Sequence, residues 1–150
     1  MATSPGSLTP GPCAGDLTPA EAWQRLQADP AAILVDVRTR IEIALTGAPD
    51  LAAVGHEAIV VEWMTAQGRN PDFLPQLRAG LDKRGAGPDT PLLFLCRTAG
   101  RSRMAAGELT AEGFKSCYNV SEGFEGGLDD QGHRNSVNGW KARGLPWRQT

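Results

Sequence analysis

Four short apolar runs, set apart by helical patterns, constrain this chain more than any other feature. They are Ile33-Leu34-Val35-Asp36-Val37, Ala58-Ile59-Val60-Val61-Glu62, Pro91-Leu92-Leu93-Phe94-Leu95 and, more weakly, Ser116-Cys117-Tyr118-Asn119-Val120. Strands that are apolar throughout belong in a parallel sheet covered on both faces, and parallel strands need crossover connections. The intervening sequence supplies them. Phe73, Leu74, Leu77 and Leu81 share one face of a helix predicted over residues 70–81, and Met104, Ala105, Leu109 and Ala111 mark another over 102–112, closed by Gly113. An earlier helix is expected to run to about Ala28: Thr18 caps it, Pro19 suits its first position, Glu21 completes a capping box, and Asp29-Pro30 ends it. The fold class is therefore α/β, with a mainly parallel central sheet of four to five strands flanked by helices.

At 150 residues the chain suits one domain, burying roughly 70% of the surface its open form exposes. Ten of the first sixteen residues are Pro, Gly, Ser or Thr, too little apolar matter to offset ordering, so residues 1–16 are expected to form a flexible arm carrying Cys13. The domain proper is expected over 17–150. Residues 123–139 hold five glycines and read as an extended surface loop, followed over 138–144 by a last helical turn or two. Met1 to Asp16 lack the basic start and apolar core of a secretory signal, and no apolar run reaches the ~20 residues of a membrane span. Fifteen Lys plus Arg against seventeen Asp plus Glu give a net charge of −2, which argues against nucleic acid and anionic membranes as partners.

Three cysteines, Cys13, Cys96 and Cys117, stand far apart, and there are only two histidines, His56 and His133. No Cys-x-x-Cys pair exists, so neither a zinc site nor another metal is expected, no cofactor is called for, and a reducing cytoplasm suits the thiols. One of the three has unusual company. After the run ending at Leu95 come Cys96-Arg97-Thr98-Ala99-Gly100-Arg101-Ser102-Arg103, with no acidic residue between Cys96 and Gly107. A cysteine at the carboxyl end of a strand, facing a helix N-terminus across a tight turn, lies where open α/β sheets bind ligands. The helix dipole and three arginines favour a thiolate there, and successive turn N–H groups form a nest for an anion. A small buried hydrophobe is the plainer reading of a cysteine after a strand, but it does not account for three clustered arginines.

The segment Cys96 to Ser102 resembles the active-site loop of rhodanese-like sulfurtransferases, in which Cys, four loop residues and Arg precede a Ser or Thr. Asp36-Val37-Arg38 with Glu42 is similar to that family's early Asp-x-Arg and Glu pattern, and Gly144-Leu145-Pro146 to its C-terminal end. The resemblance implies a persulfide mechanism. Cys96 would take sulfur from a small anionic donor, thiosulfate or a persulfide, and hand it to cyanide, a thiol or a sulfur-carrier protein. The backbone of Arg97, Thr98, Ala99, Gly100, Arg101 and Ser102 would cradle the persulfide. Arg97 would draw in the donor, while Arg101 would brace the loop, with Asp36 as its suggested anchor. Asp36, Arg38 and Glu42 would shape the site from behind, satisfied by an internal ion pair. Cys117 is assigned to the core, and Trp63, Trp140 and Trp147 to packing. Phe124 is a candidate wall of the mouth around Cys96. Two departures stand out: twelve residues separate Gly126-Gly127 from Trp140, and the usual His-Ile-Pro-Gly-Ala motif is not recognisable around Gly47-Ala48-Pro49.

A cysteine phosphatase or arsenate reductase also sets a thiolate in an anion-binding loop, but a phosphatase needs five residues between Cys and Arg, and position 102 holds Ser102. Turnover of an aryl phosphate is expected to stay at background. The remaining alternative is a sulfur-relay or non-catalytic protein-binding module on the same fold.

Overall fold

The computed structural model describes residues 11–149. Five parallel strands form the central sheet: β1 (Gly15–Leu17), β2 (Ile33–Asp36), β4 (Ile59–Val60), β7 (Leu92–Leu95) and β8 (Cys117–Val120), in the order β1-β8-β7-β2-β4. The helices are α1 (Pro19–Ala28), α2 (Arg40–Thr46), α3 (Phe73–Lys83) and α4 (Gly100–Ala111). Two small antiparallel pairs complete it: β3 (Ala48–Pro49) with β9 (Trp147–Arg148), and β5 (Met64–Thr65) with β6 (Gly68–Arg69). The α/β class, the parallel sheet and its strand number are those expected.

Strand side chains alternate between faces, and here the alternation divides the core in two. Ile33, Val35 and Val37 with Leu92, Phe94 and Cys96 meet Phe73, Leu77 and Leu81 of α3 and Ala105, Ala106 and Leu109 of α4. Leu34, Leu93 and Leu95 face the other way, onto Ala22 and Leu26 of α1, Phe124 and Trp140. Trp63 and Trp140 are core residues, as expected, whereas Trp147 is 40% exposed and stands edge-on to Phe124.

The first helix matches its sequence signals: Thr18 Oγ1 accepts from Glu21 N–H, and Glu21 Oε1 accepts from Thr18 N–H. Its neighbourhood departs from expectation. The arm predicted over 1–16 gives up its end to the fold, because Gly15, Asp16 and Leu17 pair with Tyr118, Asn119 and Val120, and Ala14 N–H donates to Cys117 O. Residues 1–10 of that arm lie outside the described residues. The loop over 123–139 lies at the surface along most of residues 128–137, as expected, but not where it begins. Its start is buried, with Phe124 fully enclosed, because Phe124 N–H donates to Cys96 O and Glu125 N–H to Arg97 O. Glycine at this start permits close packing before the chain runs out over the surface. The helical ending over 138–144 is a pair of turns, with Arg143 N–H donating to Gly139 O.

Candidate functional site

Because Cys96 continues the odd-even alternation of β7, its side chain falls on the face covered by α4. The chain then passes over the sheet edge and enters α4 at Gly100. The first N–H groups of a helix have no intrahelical acceptor. Among the described residues, the six N–H groups from Arg97 to Ser102 have none of any kind, while Arg103 N–H is the first to find one, at Ala99 O. Six free donors follow Cys96 around one turn, beside the positive end of a helix dipole. Cys96 itself is 1% exposed, so the sulfur sits beneath the loop and not in an open mouth. Its Sγ lies 3.2 Å from Ser102 Oγ. Arg97 and Gly100 are exposed above it, and the Arg97 guanidinium has no partner among the described residues.

Arg101 does brace the loop, but onto Glu42 and not Asp36: its two terminal nitrogens meet the Glu42 carboxylate at 2.7 and 2.8 Å. Parity explains the correction. Asp36 faces the α1 side of the sheet, opposite α4, whereas Glu42 comes over the top on α2. Glu42 is held there by a capping box of its own, with Thr39 N–H donating to Oε1 and Thr39 Oγ1 accepting from Glu42 N–H. Asp36 instead pairs with Arg38, and both are essentially unexposed. Arg38 Nε and Nη2 reach the Asp36 carboxylate at 3.0 and 2.7 Å, Nη1 and Nη2 donate to Thr46 Oγ1 and Gly47 O, and the guanidinium lies 4.2 Å from the Phe124 ring centre. The internal ion pair is thus Asp36–Arg38, with Glu42 in a separate one. Phe124 stacks behind the site on the α1 side and is no wall of a mouth.

Burial alone pushes the Glu42 carboxyl up, but the Arg101 hydrogen bond, the Thr39 N–H and the Arg101 charge outweigh it and hold it at about 2. A carboxyl depressed in the folded state contributes stability above its unfolded value near 4.5, lost as pH falls through about 2. Arg101→Ala is therefore expected to lower stability by about 1–2 kcal/mol at neutral pH, a difference that closes between about pH 4.5 and 2. Melting curves of both proteins across that window check it. A gap that persisted at pH 2 would disconnect Arg101 from Glu42.

Cys117 is enclosed in the core, where burial pushes its thiol up to about 11, as an inert residue requires. Cys13 packs against the same core beside β1, two strands removed from β7, and donates to Gly15 O. All three cysteines are free thiols. Among the described residues no His, Cys, Asp and Glu cluster could hold a metal, and no helix is long and apolar enough to cross a membrane. Asn119 and Gly123 are site neighbours that sequence reasoning missed. Ser102 Oγ donates to Asn119 Oδ1, and Gly123 lies against the backbone of Arg97 and Thr98.

The five-stranded parallel sheet flanked by helices is the fold of rhodanese-like domains, and comparison with known proteins bears out that class. The chain is similar to the protein Rv0390 of M. tuberculosis in its crystal structure, with 46% identity, a TM-score of 0.82, and 93% of this chain and all of that one covered. It is also similar to the polysulfide-sulfur transferase homodimer of Wolinella succinogenes, with 27% identity, a TM-score of 0.58, and 89% of this chain and 77% of that one covered. The chain belongs to the family described as the STR4 middle domain, whose model matches residues 15–150. Among curated relatives, protein RC0915 of Rickettsia conorii is 37% identical over 128 residues, covering 85% of this chain and 92% of that one. The chloroplastic THYLAKOID RHODANESE-LIKE protein of Oryza sativa subsp. indica is 31% identical over 134 residues, which are 89% of this chain and 25% of that protein.

Proposed function

We propose that this domain is a sulfurtransferase that carries sulfane sulfur as a persulfide on Cys96. The observation that carries the reading is the run of six unclaimed N–H groups, Arg97 to Ser102, around a cysteine at a helix start. Negative charge on that sulfur, or on a second sulfur attached to it, is what such a ring stabilises. The likeness to a polysulfide-sulfur transferase supports the same chemistry.

The steps follow from that placement. The Cys96 thiolate attacks the outer sulfur of thiosulfate; the S–S bond of the donor breaks, and sulfite leaves with its electron pair. The terminal sulfur of Cys96–S–S⁻ rests among the amides. Cyanide then takes that sulfur as thiocyanate, or an acceptor thiolate takes it as its own persulfide, and the Cys96 thiolate returns. A low-molecular-weight persulfide or polysulfide serves equally as donor, and a sulfur-carrier protein equally as acceptor. Exposed Arg97 supplies the charge that meets an anionic donor at the loop. The free thiols fit a reducing compartment such as the cytoplasm.

Intact-mass spectrometry after incubation with thiosulfate, and separately with a glutathione persulfide, tests the reading. The expected result is a gain of one sulfur atom on Cys96, removed by cyanide and absent in Cys96→Ser. Failure to load sulfur from either donor would overturn it in favour of a non-catalytic binding module.

A further inference from the structure

Ser102 has one hydroxyl proton and three neighbours that compete for it. Ser102 Oγ lies 2.5 Å from Asn119 Oδ1, 3.0 Å from Ala99 O and 3.2 Å from Cys96 Sγ. The shortest of these separations joins two oxygens, so the proton lies between Ser102 and Asn119, and Cys96 as a thiol donates to Ser102 Oγ. What aims the Asn119 carbonyl at Ser102 is the other end of the same amide. Asn119 Nδ2 donates to Asp16 Oδ1 at 3.2 Å, and a carboxylate can only accept. The register makes this contact local, since Asp16 on β1 is directly paired with Asn119 on β8, and Asn119 with Phe94 on β7, two residues before Cys96 on the same face. The line runs from the buried sulfur to the surface, where Arg103 meets Asp16 at 3.3 Å.

We infer that Asn119, oriented by Asp16, is a positioning residue that withholds the Ser102 hydroxyl proton from Cys96 and so sets the pH at which the sulfur becomes reactive. The inference rests on the proposed use of Cys96 as nucleophile. When Cys96 loses its proton to solvent, the Ser102 hydroxyl must turn from Asn119 Oδ1 to the sulfur, because an oxygen lone pair facing a thiolate at this distance is repulsive. A hydrogen bond to Asn119 is given up in exchange for one to the anion. Removing the competing acceptor makes the exchange easier, and turning the Asn119 amide end for end does the same, since Nδ2 cannot accept. The charged groups around Cys96 are Arg97 in the loop, Arg101 of α4 with Glu42 of α2, the Asp36–Arg38 pair after β2 and, at the surface end of the line, Asp16 of β1 with Arg103 of α4; Asn119→Leu retains them all, and Asp16→Ala removes one.

The readout is the rate of Cys96 alkylation by iodoacetamide against pH, followed at the Cys96 peptide by mass spectrometry. Asn119→Leu is expected to move the midpoint down by about one pH unit, about tenfold in rate below the midpoint. Asp16→Ala, at an exposed position that does not threaten folding, is expected to shift it the same way by less. Both shifts are expected to vanish in a Ser102→Ala background, which a general loss of packing or of the Asp16 charge would not bring about. Unmoved midpoints in both variants, or shifts that survive Ser102→Ala, would overturn the inference. Sulfur loading of the same samples keeps the two proposals apart: loading with unmoved midpoints rejects the role of Asn119, and shifted midpoints without loading reject the transferase.

Discussion

Gly123→Ala is expected to slow Cys96 persulfide formation about a hundredfold, the cost of moving a reacting group by about 1 Å. Gly123 has φ +69°, and a Cβ there would lie 2.5 Å from Arg97 O, 2.6 Å from Arg97 C and 2.7 Å from Thr98 Cα. All three are backbone atoms of the loop that holds the sulfur, so no side chain can swing away to make room. The flanking bonds allow no escape either. Gly123 O accepts from Trp140 N–H, and the next two residues donate to Cys96 O and Arg97 O. The alanine must therefore push the Arg97 to Thr98 backbone away and misalign the amides above Cys96. Gly132→Ala is the control. Gly132 has φ +78° with open space around it, so alanine there costs only the strain of its backbone, about 1 kcal/mol, and leaves sulfur loading unchanged. Single-turnover loading followed by mass, with melting curves of both variants, separates the two. Equal loading in the two glycine variants would mean that the Gly123 contact does not shape the loop.

This contact also marks where sequence stops being informative. The glycines of 123–139 are visible in the chain, but composition does not distinguish a glycine that bends a free loop from one that lets two backbones touch. Gly132 is the first kind and Gly123 the second. β1 was hidden for a related reason. Gly15-Asp16-Leu17 has no strand-like composition, and its place at the sheet edge comes from pairing with Tyr118 to Val120, about a hundred residues away. By contrast α1 was legible because its capping box is written within four residues. The same signature, Thr39 with Glu42, stands at the head of α2, and it went unread because α2 buries no residue and turns Ile41 and Leu45 to solvent, leaving no inward apolar stripe to find. The active-site loop was legible as one continuous segment. Its supports were not, because Glu42, Asn119 and Gly123 reach it from three other elements. Parity along β2 and β7 was readable, however, and it places Asp36 and Cys96 on opposite faces, which already excludes Asp36 as the brace for Arg101.

Removing the arginine behind that face is expected to have the largest effect on stability. Arg38→Met should cost about 3–5 kcal/mol, the usual range for breaking a buried ion pair, or roughly 10 °C in Tm for a domain of this size. Methionine fills much of the same space but leaves the Asp36 carboxylate, 1% exposed, with its neighbouring backbone N–H and no counter-charge. Gly47 O and Thr46 Oγ1, at the end of α2, lose donors in the same step. Changing both partners at once removes the stranded charge, so Asp36→Leu with Arg38→Met should be the more stable of the two variants even though it carries one more substitution. The guanidinium also supports the Phe124 ring, and Phe124 N–H holds Cys96 O. Sulfur loading well below the melting point then divides the two roles of the pair. If the double variant regains stability but still loads slowly, the Arg38 stack on Phe124 is what keeps the strand end under Cys96 in place. Full loading in the double variant would reduce the pair to a source of stability alone.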